Sequence, residues 1–158
     1  MLYLVTGLKE LDHLHYLRLM TEGMAASRLD SPAALKEFNR LENKAYALPA
    51  YLFISRMIIP SLSSAGKKSL KSSARLRVTQ AAIAAERYRL EHGEWPEQLV
   101  APVPTDPFDG QPLRYRRTET GIVVWSIGED GRDDGGRERR PGALEPDISF
   151  TIDRPPKR

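Results

Sequence analysis

A chain of 158 residues, 41% apolar and 28% charged, is sized for one domain or one domain with a helical extension, and it carries enough Leu, Ile, Val and Ala to build a core. It has no cysteine, which excludes a disulfide scaffold, a thiolate metal site, an iron–sulfur cluster and a cysteine nucleophile while leaving cytosol and periplasm both open. The 24 basic and 21 acidic residues give a net charge of +3, too small an excess to argue for a nucleic-acid partner.

The opening MLYLVTGLKELD has a short apolar run and no small-residue cleavage site, so it does not read as a signal peptide. Leu8, Leu11, Leu14, Leu17, Leu19 and Met20 recur near helical spacing and predict a helix near 6–28. Ser31 followed by Pro32 reads as an N-cap with proline at the first helical position, and predicts a second helix over 32–46. The longest apolar stretch, Ala47 to Leu62, is interrupted by Pro49, Arg56 and Pro60. A bilayer takes about 20 apolar residues, so this stretch reads as buried helix.

From Lys67 to His92 there is no Gly or Pro and Ala is dense, which predicts the longest helix over 67–92. Gly93 stops it through a left-handed C-cap, and Pro96 prevents resumption. Leu76, Ile83 and Leu90 recur every seven residues and are the expected sheet-facing stripe. Nine of the 12 prolines lie from Pro96 onward, where period-two alternation replaces the helical pattern. Strands are predicted near 112–117 and 121–128, joined by the polar link Thr118 to Gly121, and near 147–153, where Ile148, Phe150 and Ile152 share a face. A lone hairpin is marginal in water, so the sheet needs the long helix on its apolar face. The expected fold class is α+β, with a helical region over 1–65 and a domain over 66–158 in which a small three-stranded antiparallel sheet packs on the long helix.

Several polar groupings carry a chemical reading beside a structural one. Asp106 and Asp109, in AspProPheAspGlyGlnPro, have the look of an acidic pair, yet Asp109 and Gly110 read as a turn with Pro107 and Phe108 leaning on the sheet edge. Lys67, Lys68, Lys71, Arg75 and Arg77 form a basic run, with no aromatic residues interleaved to stack on bases, and read as a solvated helix face. His13 and His15 point apart on a helix, and His92 sits where a cation favours the helix dipole. The loop Gly128 to Gly136 gathers Glu129, Asp130, Asp133 and Asp134 among glycines, the kind of oxygen-rich turn that Ca²⁺ takes. Its spacing is not that of an EF-hand, with Arg132 and Pro141 at two ligand positions, and Arg132, Arg137, Arg139 and Arg140 nearly cancel the local charge. A surface loop of Asx-turns paired with Arg is the alternative.

Four blocks in order carry a resemblance: GluArgTyrArgLeuGluHisGlyGluTrpProGluGlnLeu over 86–99, ValProThrAspProPheAspGlyGlnProLeuArgTyrArg over 103–116, SerIleGlyGluAspGlyArgAspAspGlyGly over 126–136, and AspIle at 147–148. Together they resemble the globular C-terminal part of the major pseudopilins of type II secretion systems, over roughly residues 74 to 150. The resemblance implies a calcium site in the loop after the second strand, with Asp130 as the leading ligand, the carbonyls of Ile127 and Arg132 beside it, and Asp147 or Glu145 closing it. It also implies a non-enzymatic structural or binding module whose partners are proteins of secretion or envelope assembly, with no nucleic acid expected. Pseudopilins begin with a prepilin-peptidase signal and a long apolar helix, and here mainly soluble helix stands in their place. The expected location is therefore the cell envelope if a longer N-terminal part exists, and the cytoplasm if Met1 is the true start. An accessory domain of a larger enzyme, with its active site elsewhere, and a small-ligand or polyanion binding module are the competing expectations.

Overall fold

The computed structural model describes residues 7–137 and 147–153. Three helices, α1 (Leu8–Ser27), α2 (Pro32–Tyr46) and α3 (Phe53–His92), precede three strands, β1 (Arg114–Arg117), β2 (Gly121–Ser126) and β3 (Ile148–Asp153). The fold is α+β, as expected. The chain forms two compact units, Met1–Leu70 and Lys71–Arg158, and the division falls inside α3.

In the first unit, α2 buries Ala34, Phe38, Leu41 and Ala45, the one-sided spacing of an amphipathic helix. Leu41 and Ala45 join Leu19 of α1 and Ile59 of α3 in a core edged by Tyr16, Met20 and Leu48. Ser31 occupies the N-cap position with Pro32 behind it, but its side chain makes no capping bond. Asp12 of α1 does cap a helix, and not its own. Fully buried, its carboxylate accepts the N–H groups of Ile54 at 2.8 Å and Ser55 at 3.0 Å and the Ser55 hydroxyl at 2.7 Å. The first turn of α3 has donors that no carbonyl of the helix can reach, and a carboxylate at that positive end satisfies them.

The long helix begins at Phe53 and not near 67. Pro60 lies inside it, and so does Gly66. A proline forfeits one N–H to the ladder, and burial of Ile59 and Leu70 on either side of it holds the helix together. Gly66 is where the Phe38 ring packs: a Cβ there would stand 2.2 Å from the ring. The residue that reads as a break in sequence is a contact site in the fold.

In the second unit the sheet has the order β1-β2-β3, antiparallel throughout. Tyr115 lies opposite Val124, which lies opposite Phe150, and Ile122 pairs with Ile152. Every residue of the central strand is buried. Ile122 and Val124 meet Val78, Ala81, Ala82 and Ala85 of α3 together with Leu113, and Trp95, Leu99, Tyr115 and Ile152 close the edges. The helix stops as the sequence predicts: Gly93 adopts φ 85° and its N–H reaches the Arg89 carbonyl at 2.8 Å.

The expected sheet-facing stripe is on the wrong side of this helix. Leu76, Ile83 and Leu90 are 61%, 49% and 68% exposed, and Phe150 is exposed as well. At 100° per residue, Ala74, Val78, Ala81, Ala82 and Ala85 define the opposite face. Small side chains let the helix axis come close to the sheet, so β2 supplies the bulk and α3 supplies the space.

Two outcomes are expected in urea unfolding. Ala82→Leu forces a large side chain into the fully buried alanine face against β2 and should cost about 1–3 kcal/mol, whereas Leu76→Ala should stay within about 0.5 kcal/mol. Asp12→Ala strands the first turn of α3 and the buried Ser55 hydroxyl, and should lower stability by about 1–3 kcal/mol.

Candidate functional site

The loop that follows β2 is organised from beneath by one carboxylate. Asp106 is fully buried, and its Oδ1 accepts the Phe108 N–H at 2.9 Å and the Ser126 hydroxyl at 2.8 Å. Its Oδ2 accepts the Ile127 N–H at 2.9 Å and Arg114 Nη1 at 3.0 Å. The end of β2, the start of β1 and the segment before it are thereby tied to one point. Asp109 Oδ1 accepts the Gln111 N–H at 2.9 Å, Gly110 turns at φ 76°, and the Arg114 guanidinium grips the Asp109 carboxylate through Nη2. Burial pushes the Asp109 carboxyl up, but Arg114 and the Gln111 N–H outweigh it and hold it below the usual carboxylate range. Asp109 and Gly110 form a turn, as expected, and both carboxylates are engaged by Arg114 and by backbone N–H groups.

Above this platform the loop covers the face of the sheet turned away from α3. Trp125 donates its indole N–H to Asp133 Oδ1 at 2.8 Å, the same oxygen accepts the Gly135 N–H at 2.9 Å, and the Arg116 guanidinium lies 5.7 Å from the Trp125 ring centre. Gly136, at φ 69°, rests on Val123 and Trp125, where a Cβ would come within 2.8 Å of the indole. Its N–H donates to Asp147 Oδ2 at 2.7 Å, closing the loop onto the residue that precedes β3.

The predicted ligands are placed as follows. Asp130 is exposed, and its Oδ1 accepts the N–H of Arg132, also exposed, at 3.0 Å in an Asx-turn. Ile127 is buried with its N–H on Asp106. Glu145 lies outside the described residues. Asp147 is buried, and its Oδ1 has no hydrogen-bond partner among the described residues. Burial raises its pKa, the nearby Asp133 and Asp134 charges raise it further, and the N–H groups of Gly136 and Asp134 only partly compensate.

Three aspartates are buried in this protein's described residues, Asp12, Asp106 and Asp147, and the first two have both oxygens filled by donors. The third has Oδ2 on the Gly136 N–H, and its Oδ1 has no hydrogen-bond partner among the described residues. Of the predicted ligands, Asp147 is the buried one with an unpartnered oxygen among the described residues, while Asp130 is exposed and closes its own turn. Asp133 and Asp134, absent from the predicted ligands, are the acids beside it. The signal in sequence is Trp125, whose N–H needs an acceptor once the ring is buried. Among the described residues no group of three His, Asp or Glu is arranged to hold a metal, so carbonyl and solvent oxygens would have to complete a calcium shell around Asp147.

The basic run is largely engaged. Lys67 pairs with Glu42 at 2.7 Å, Lys71 with Glu129 at 3.0 Å, and Arg77 Nη1 donates to the Thr105 carbonyl at 2.8 Å. The His92 ring stacks on Tyr88 with centres 3.9 Å apart. Among the described residues no helix is long and apolar enough to cross a membrane.

Linkage gives the sign of one pH effect. A buried carboxyl with a raised folded-state pKa favours the fold below its unfolded value near 3.9, and that contribution is lost as pH rises through the folded pKa. In metal-free buffer Asp147→Asn should therefore melt at or above the wild-type temperature at neutral pH, with the advantage vanishing below about pH 4 in a thermal-melt series. No family model matches the chain, and comparison with curated proteins and with solved structures likewise yields no match.

Proposed function

We propose that the chain is a non-enzymatic, pseudopilin-like structural and binding module that serves protein assembly at the cell envelope, with Ca²⁺ closing the loop between β2 and β3. The observation that supports it is the half-satisfied Asp147: Gly136 rests on the back of the sheet and donates to this buried carboxylate, whose Oδ1 has no hydrogen-bond partner among the described residues. The pseudopilin-like part of this reading draws its support from the four sequence blocks and from a long helix backing an antiparallel sheet of three strands. The acidic pair that had the look of a catalytic site is consumed in structural bonds to Arg114, Ser126 and backbone N–H groups. The chain's own contribution to a calcium site is Asp147 as the buried anionic ligand, the Asp133 and Asp134 charges as attraction, and Gly135 and Gly136 as the turn that allows close approach.

Calcium that binds the folded state alone stabilises it by about 2.7 kcal/mol at a hundred times its Kd. The melting temperature of wild type should rise with added Ca²⁺ and much less with Mg²⁺, which demands octahedral geometry and keeps its water. Asp147→Asn should abolish the rise, while Asp130→Ala should only weaken it. Terbium luminescence excited through Trp125 gives a second readout at the same loop. Melting that ignores calcium would remove the ion from the reading. The assembly role is tested separately by fractionating native cells and mapping the N-terminus by mass. Retention with the envelope supports it, and a cytoplasmic chain starting at Met1 overturns it.

A further inference from the structure

α1 is apolar on two faces, and only one of them is used inside the unit. Asp12, Leu19, Gly23 and Ala26 form the buried face. On the opposite side Leu14, Leu17 and Met24 are 52%, 47% and 51% exposed. With Thr21 they stand at intervals of three, four and three residues, the seam spacing of a two-helix coil. Thr21 does not interrupt this seam, because its hydroxyl already donates to the Leu17 carbonyl at 2.9 Å and needs no partner from outside. One seam step beyond each end lie Glu10 and Arg28, both exposed.

These positions are self-complementary. If two copies of α1 lie antiparallel about Leu19, Leu14 meets Met24 of the second copy, Leu17 meets its Thr21, and Glu10 meets its Arg28. The same pairs recur beyond the dyad, so the layers are Leu–Met, Leu–Thr with the hydroxyl already bonded within the helix, or oppositely charged. A parallel pairing would set Glu10 on Glu10 and Arg28 on Arg28. The two Arg18 side chains border the antiparallel seam near the dyad, where their length lets the guanidinium groups reach water. We propose that the exposed face of α1 is the interface of a homodimer, a second copy of this chain docking antiparallel along Leu14, Leu17, Thr21 and Met24. A closed twofold contact of this kind uses the same patch on both copies, as symmetric dimers do.

The full chain should sediment at twice its 17.8 kDa mass, and Leu14→Glu should return it to monomer with an unchanged far-ultraviolet spectrum. Glu10→Arg and Arg28→Glu should each weaken the dimer and the double exchange should restore it, whereas a parallel pairing would not respond to the single exchanges. Because the chain has no cysteine, Leu14→Cys and Met24→Cys give a clean geometric test. A mixture of the two variants should form a disulfide-linked dimer on oxidation, and neither variant alone should do so efficiently. A wild-type monomer at high micromolar concentration, or linkage of Leu14→Cys to itself in place of the mixture, overturns the proposal. A monomer that floats with anionic vesicles and loses this with Leu14→Glu also overturns it, and assigns the face to a membrane surface.

Discussion

The second unit depends on a single buried carboxylate. Asp106 receives donors from four residues on three segments: Phe108 two positions on, Arg114 on β1, and the adjacent Ser126 and Ile127 where β2 passes into the loop. A buried anion is costly unless every lone pair is used, and here the cost is offset only when all four groups converge. Correct placement of the hairpin relative to the segment before it is thus coupled to the exit direction of the loop. The loop inherits its position from Asp106 and then covers Val123 and Trp125, which is why the central strand is buried on both faces.

The first unit repeats the device with a different target. Asp12 takes the free donors at the start of α3 and the hydroxyl of Ser55, so the entry of the long helix is set by a residue of α1 over 40 positions earlier in the chain. Helix propensity does not favour a helix through Pro60 and Gly66. Tertiary contacts override it, with the Asp12 carboxylate at the first turn and the Phe38 ring against bare backbone at Gly66. Asp147 is buried as well, but its Oδ1 has no hydrogen-bond partner among the described residues, which sets it apart from Asp12 and Asp106.

Small residues decide where the large ones go. The alanine face of α3 brings the sheet in close, and the bulky heptad Leu76, Ile83 and Leu90 is turned outward as a consequence. In α1 the smaller Gly23 and Ala26 likewise sit on the inner face while Leu14, Leu17 and Met24 face out. Both helices pack through their less conspicuous side, because close packing rewards fit and not side-chain size alone.

The sequence by itself determined the element types and several of their ends. Period-two alternation around Tyr115 and Val124, the Gly93 stop, the Asp109–Gly110 turn and the start of α2 at Pro32 are local features, readable because φ preferences and alternation act within a few residues. What only the tertiary structure decided is which face of each helix is inside, where α3 begins, and which acids are filled. A heptad of Leu76, Ile83 and Leu90 looks like a core stripe until the distance to the sheet is known. Asp130 and Asp147 look alike in sequence, and they differ because Asp130 closes its own turn in solvent while Asp147 is carried under the loop by strand pairing eleven residues beyond Gly136. Burial and hydrogen-bond saturation are properties of neighbours brought together across the chain, and no local pattern encodes them.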